Sequence, residues 1–217
     1  RHMHLLRSLL DFLFPKSRRV IELEHLSPEK LLALLPESEP LKEDDIYALF
    51  DYKHPLVKEI VWEVKYNGNR LLAETMGTIL YDAIWHELAE KNIFEKTPSV
   101  ILIPMPISDR RRFERGWNQT ELIAQAVKEQ DVEMRLAYLP RQLAKIIHTE
   151  SQTKTSSRRE RQENLHQSMK VQNPLSVKDR YVVLIDDVIT TGSTFKEAQR
   201  ALKEAGVKKI FCLALAH

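Results

Sequence analysis

Cysteine is nearly missing from this chain: Cys212 is the single one among 217 residues. One thiol excludes an internal disulfide framework and any zinc site built from cysteines alone. Because Cys212 lies in the apolar run 210–216, it reads as a buried structural thiol, and a reducing cytoplasmic setting suits it. An excess of one charge is missing as well. With 33 Lys and Arg against 31 Asp and Glu, the formal net charge is +2, so contact with an anionic polymer would need a local basic patch. Long hydrophobic runs are absent too. The cluster Leu5, Leu6, Leu9, Leu10, Phe12, Leu13 and Phe14 is broken by Arg7 and Asp11 and is too short to span a bilayer. A docked amphipathic helix is expected there, and no membrane insertion. The chain has only 5 glycines, which makes their positions informative. Gly68 and Gly206 fall at expected helix ends, Gly116 and Gly192 in polar loops, and Gly77 inside a helical pattern, where it suits close packing.

What is present is an alternation of strand and helix signals. Residues 16–45 carry scattered apolar positions and a short helical candidate at 28–35, with Ser27 as cap, Pro28 at the first position and Pro36 at the end. Residues 46–52 read as a strand, 55–66 as a helix stopped near Gly68, and 70–91 as a longer helix. The run SVILIP (99–104) is a buried strand that enters the polar, arginine-rich loop MPISDRRRFERGWNQ, followed by a helix at 120–129 and a strand at 134–139. Between 141 and 167 apolar periodicity almost vanishes, leaving only a helical segment near 157–166. Polar excursions of that length are usually functional or mobile. A strand from 181, a helix at 194–205 and a strand at 209–216 close the pattern, which implies an α/β fold with parallel pairing and right-handed crossovers.

The chemistry concentrates in YVVLIDDVITTGST (181–194), an apolar strand, two acids, a hydroxyl-rich turn and a helix start. Backbone N–H groups of 190–194, the hydroxyls of Thr190, Thr191, Ser193 and Thr194, and the following helix N-terminus suit a phosphate. Asp186 and Asp187 would repel it unless the ligand offers them hydroxyls or a hard divalent cation. A ribose 5-phosphate with Mg²⁺ meets both demands. The plain alternative is a capped helix with solvent-facing acids. No Walker pattern is present, since no Lys-Ser/Thr pair follows Gly192.

A second constellation follows Pro104, where Arg110, Arg111, Arg112 and Arg115 share six positions relieved only by Glu114. Planar guanidinium donors suit pyrophosphate oxygens, although any single arginine reads equally as a solvated surface group. Arg115 stands out, beside Gly116 and just ahead of Asn118 and Gln119 at the next helix start. A third is the excursion, with Arg141, Lys145, Lys154, Arg158, Arg159, Arg161 and Lys170 against Glu150, Glu160 and Glu163. It reads as a lid over a pyrophosphate or as a strip for single-stranded nucleic acid.

The stretch 181–194 resembles the phosphoribosyl pyrophosphate (PRPP) motif of type I phosphoribosyltransferases. ERGWNQ after Pro104-x-Pro106 resembles the Arg-Gly-Phe-Asn-Gln signature of the ComF family of that superfamily, with Trp117 in place of Phe. Thr149, Gln152, Arg161 and Asn164 follow the family's spacing, and Tyr47, Tyr52, Lys65 and Gly68 also fit, so the resemblance covers about 46–217.

The resemblance implies a type I phosphoribosyltransferase-like α/β domain at 46–217, its parallel sheet flanked by helices, with a small N-terminal hood at 1–45. It implies Mg²⁺-dependent displacement of pyrophosphate from PRPP. Asp186 and Asp187 would hold the ribose hydroxyls or metal-bound water, and Arg115 would face the leaving group. The further binding positions it implies are Val188, Ile189, Thr190, Thr191, Gly192, Ser193, Thr194, Pro106, Asn118, Gln119, Gln152, Arg161 and Asn164. It also implies a link to DNA uptake in natural transformation, with single-stranded DNA and a helicase or ATPase as partners, or a non-catalytic DNA-binding factor built on the same fold. The family's zinc-ribbon cysteines do not follow the Leu9–Pro15 segment here, so no zinc is expected. No side chain stands out as a general base, since His148 and His166 lie in the polar excursion, and the acceptor has no sequence signature.

Overall fold

Successive strand residues face opposite sides of a sheet, so an apolar run without alternation belongs to a strand covered on both faces. The computed structural model describes residues 16–41, 45–91, 99–146 and 167–217. Its strands in chain order are β1 (Ile46–Phe50), β2 (Val100–Pro104), β3 (Leu136–Tyr138), β4 (Leu143–Lys145), β5 (Met169–Val171), β6 (Tyr181–Val188) and β7 (Lys209–Ala216). Five of them form one sheet in the order β1-β7-β6-β2-β3, with every pair parallel. β4 and β5 make a separate antiparallel pair. The described helices are α1 (Arg18–Glu24), α2 (Pro28–Leu34), α3 (Pro55–Trp62), α4 (Arg70–Glu90), α5 (Asp109–Arg115), α6 (Gln119–Gln130) and α7 (Ser193–Glu204).

Two cores follow from the strand alternation. Val183, Ile185, Phe211, Leu213 and Leu215 face a layer built from α3, α4 and α6, which Leu23, Leu31 and Leu35 from the N-terminal segment also join. Val182, Leu184, Cys212 and Ala214 face the other layer, with Phe195, Ala198 and Leu202 of α7 and Leu143, Met169 and Val171 of the β4–β5 pair. Fully burying one such aliphatic or aromatic side chain stabilises the fold by about 1.5–3 kcal/mol. Cys212 is wholly buried and its thiol is pushed up by desolvation, in keeping with a structural role. Gly77 of α4 lies against α6, where an added Cβ would stand 2.5 Å from the Ala126 Cβ and 2.8 Å from the Ala126 carbonyl carbon.

Several elements differ from the sequence expectation. The helix read at 55–66 leaves α geometry at Trp62 and continues as a π-helical turn, Glu63–Asn67. The arginine-rich loop contains α5, whose N-cap Ser108 accepts the Arg111 N–H at 3.4 Å and whose seven residues are all unburied. Periodicity cannot reveal a helix with no apolar face. The sequence pattern does not announce α1 either, since that helix buries only Val20 and Leu23. β4 lies inside the polar excursion and carries no signal of its own, and β5 follows it. The helices expected near 5–14 and 157–166 lie outside the described residues. Among the described residues no helix is long and apolar enough to cross a membrane.

The strand order sets the site. From β2 the chain passes through α6 to β3 on one side, and from β6 it passes through α7 to β7 on the other. At the carboxyl ends of β2 and β6 the two connections therefore diverge, and such a switch point leaves a crevice for a ligand. Pro104 sits there in register with Ile185, one residue before the acid pair.

Candidate functional site

Asp186 and Asp187 end β6 at that crevice, and being consecutive they project toward different layers. Asp187 is buried, and its Oδ2 forms an ion pair with Lys65 Nζ at 3.3 Å and accepts from Gln119 Nε2 at 3.3 Å. Lys65 comes from the π-helical turn, a geometry that recurs at functional sites. Asp186 is half-buried, and Lys145 at the end of β4 acts on it electrostatically from the hairpin layer. Burial, then the adjacent Asp187 carboxylate, pushes the Asp186 carboxyl well above the usual carboxylate range. Its Oδ1 accepts the Asp187 N–H at 2.8 Å. Burial, then the Arg111 guanidinium, pulls Lys145 below the ordinary lysine value. The acid pair thus faces Lys65 on one side and Lys145 on the other, and its oxygen donors suit a hard divalent cation such as Mg²⁺.

Beyond the acids, Val188 is half-buried, whereas the Ile189 side chain packs into the core and its N–H donates to Ala216 O at 2.8 Å. Thr190 and Thr191 are exposed, and Gly192, Ser193 and Thr194 are half-buried. Gly192 adopts φ +70° as the N-cap of α7, a conformation that an L side chain resists. The N-cap offers α7 no side-chain hydrogen bond. Thr191 Oγ1 and Ser193 Oγ lie 2.7 Å apart beside this helix start. Thr191 Oγ1 accepts the Ser193 N–H at 3.4 Å, and the 12-residue helix brings its other first-turn N–H groups and a cluster of hydroxyls to the same point, an arrangement suited to a phosphate.

The arginine segment divides in two. Arg110 pairs with Glu114 at 2.7 Å and Arg112 pairs with Glu121, so both are neutralised locally. Arg115 stacks over the Tyr66 ring at 5.1 Å and donates to Gln119 Oε1 at 2.9 Å. Since Gln119 donates onward to Asp187, Arg115 is coupled to the acid pair through one amide. Pro106 is half-buried in the link between β2 and α5. Asn118 is buried at 2 % exposure. Its Oδ1 accepts the Thr120 N–H at 3.1 Å and its Nδ2 donates to Met105 O at 3.2 Å, so it braces the loop from within. Gln152, Arg161 and Asn164 lie outside the described residues.

On the far side of the phosphate loop a cleft of about 420 Å³ opens between 37–41 and 189–192, with Asp51, Lys53 and His217 completing its wall. Sequence reasoning does not assign Lys65, Tyr66, Lys145 or His217 to the site. In the sequence Lys65 shows only a fit to the family, and Lys145 is one base among seven. No local signal marks Tyr66 or His217, because the fold alone brings them to the loop.

A family model described as phosphoribosyl transferase domain matches residues 133–217. Competence protein F of Haemophilus influenzae is 29% identical over 174 residues, covering 80% of this chain and 72% of the relative. The DNA utilization protein YhgH of Escherichia coli (strain K12) is 27% identical over 165 residues, covering 75% and 68%. Competence protein ComFC of Streptococcus pneumoniae is 24% identical over 173 residues, covering 77% and 66%. Among solved structures, the hypoxanthine-guanine phosphoribosyl transferase of L. donovani is a distant likeness, with 11% identity, a TM-score of 0.42 and coverage of 67% of this chain and 68% of that one. The chain is a homologue of the proteins named Competence protein F, ComFC and YhgH, and the part of it that matches the phosphoribosyl transferase domain model belongs to a parallel sheet flanked by helices.

Proposed function

We propose that this chain is a competence-associated phosphoribosyltransferase-like protein that binds PRPP with Mg²⁺ and displaces pyrophosphate from C1 of the ribose. One observation carries the reading: two consecutive acids and a hydroxyl-lined helix N-terminus meet at the switch point of a parallel sheet. The 5-phosphate sits on 190–194, and Asp186 and Asp187 hold the ribose hydroxyls. Arg115, held over the Tyr66 ring and anchored by Gln119, faces the pyrophosphate oxygens with planar donors. Mg²⁺, when bound, supplies the charge that eases departure of the pyrophosphate. The cytoplasm, where PRPP is at hand, is the proposed location.

Titration calorimetry tests the assignment. Wild-type protein is expected to bind PRPP only with Mg²⁺, and the double substitution Asp186→Asn, Asp187→Asn is expected to abolish the heat. Binding indifferent to the metal and to both substitutions would sink the reading.

A second reading draws on Phe113, which is 92% exposed on α5 among Arg110, Arg111 and Arg112. Together with the names of the relatives, it favours a competence factor that holds single-stranded DNA on this surface, beside a helicase or ATPase partner. Base stacking on Phe113 and phosphate contacts to the arginines would supply the affinity. No mobility shift with single-stranded DNA at low salt removes this alternative.

A further inference from the structure

In-line displacement needs the incoming nucleophile and the leaving group on opposite sides of the reacting carbon. The positive groups of the site, Lys65, Arg111, Arg115 and Lys145, come from the β2 side of β6 and from the hairpin. The other side, toward β7 and β1, holds the 420 Å³ cleft. On the PRPP reading above, the 5-phosphate would lie on the loop between them, pyrophosphate would depart toward β2, and the cleft side would be left to the nucleophile.

His217 stands in that cleft in a fixed pose. Its N–H donates to Phe50 O at 3.1 Å and its carbonyl accepts the Tyr52 N–H at 2.9 Å, which clamps the end of β7 to β1. Its ring Nδ1 lies 3.2 Å from Ile189 O. A carbonyl oxygen can only accept, so Nδ1 is the donor here, and in the neutral tautomer that makes this bond the Nε2 lone pair is free. The imidazole thereby braces the start of the phosphate loop with one nitrogen and leaves the other as a base. The titratable groups facing it among the described residues are Glu37 and Glu39 from the segment after α2, and Asp51 and Lys53 from the link after β1; the loop 189–192 contributes none. Three carboxylates against one lysine make the cleft suited to an acceptor rich in N–H donors and free of anionic groups.

We propose that this cleft receives the acceptor and that His217 Nε2 is the catalytic base that takes its proton. The acceptor nitrogen's lone pair forms the bond to C1, the C1–O bond to pyrophosphate breaks with its electron pair leaving on the pyrophosphate, and the nitrogen's proton passes to Nε2. This deepens the PRPP reading above and rests on it.

The test uses the full chain with PRPP, Mg²⁺ and two probe nucleophiles, aniline and water, and follows pyrophosphate release across pH. His217→Asn keeps an amide N–H for Ile189 O but has no base. It is expected to lower kcat about 100-fold, to abolish the acid limb of the wild-type pH profile, and to leave PRPP affinity by calorimetry within about twofold, since only the base is removed. His217→Ala is expected to regain turnover with added imidazole, which a merely structural role would not permit. An unchanged profile in His217→Asn overturns the proposal. So does wild-type protein that binds PRPP yet releases no pyrophosphate above the uncatalysed rate, an outcome that leaves the binding reading intact. Wild-type protein that fails to bind PRPP overturns both.

Discussion

Asp131 follows the last turn of α6 with its side chain at 0% exposure, where its carboxylate accepts from Lys128 Nζ at 2.7 Å and from the N–H groups of Leu136 at 2.7 Å and Arg135 at 3.0 Å. Burial pushes this carboxyl up, but the Lys128 ammonium and the two backbone donors outweigh it and hold it below the ordinary range. A carboxylate whose folded pKa lies below its unfolded value contributes stability that is present above the unfolded value, about 3.9, and lost as pH falls through the folded one. Urea unfolding across the acid range should therefore show stability declining below about pH 4. Asp131→Asn should flatten part of that decline and cost about 2 kcal/mol at neutral pH. An acid limb unchanged in the variant would deny Asp131 this role. Legibility in the sequence divides at the same scale. Asp186, Asp187 and 190–194 are contiguous, so their chemistry is written locally. Lys65, Lys145 and His217 reach the loop only through the fold, and no spacing in the sequence records that.

At the level of elements, the packing of α4 against α6 turns on Gly77. Replacing it with Ala gains about 1 kcal/mol in helix propensity. The new methyl group, however, would meet both the side chain and the backbone of Ala126, and the backbone cannot rotate away. Overpacking of that kind costs about 1–3 kcal/mol. Gly77→Ala is expected to lower the melting temperature by roughly 2–6 °C. Adding Ala126→Gly should recover part of the loss in a double-mutant cycle. An unshifted Tm would mean that the helices part at little cost. The close packing expected for Gly77 is legible because a glycine inside a strong helical pattern needs a reason. The π-helical turn is not, since a shift of hydrogen-bond partner leaves no compositional trace. Neither is β4, whose three residues, Leu143–Lys145, are too few to carry a period. β6 and β7 are plain because each holds an unbroken buried apolar run, 182–185 and 210–216, too short for a buried helix and too apolar for a loop.

For the whole molecule, alternation of strand and helix announces a parallel sheet but not the order of its strands. The order β1-β7-β6-β2-β3 depends on which connection crosses which face, and that is settled by the two cores rather than by any one segment. The N-terminal segment, which reads in the sequence as an accessory piece, sends Leu23, Leu31 and Leu35 into the larger core. It also supplies one wall of the cleft beside His217. The strand order bears on stereochemistry too. If the donor lies across β6, with its departing group over β2 and the attacking atom over β7, C1 must turn inside out as an umbrella does. The product would then carry the opposite anomeric configuration from the PRPP consumed. Proton NMR of the ribosylated aniline formed from PRPP reads this directly from the anomeric coupling. Retained configuration would show that the two sides of the sheet do not divide the work in this way.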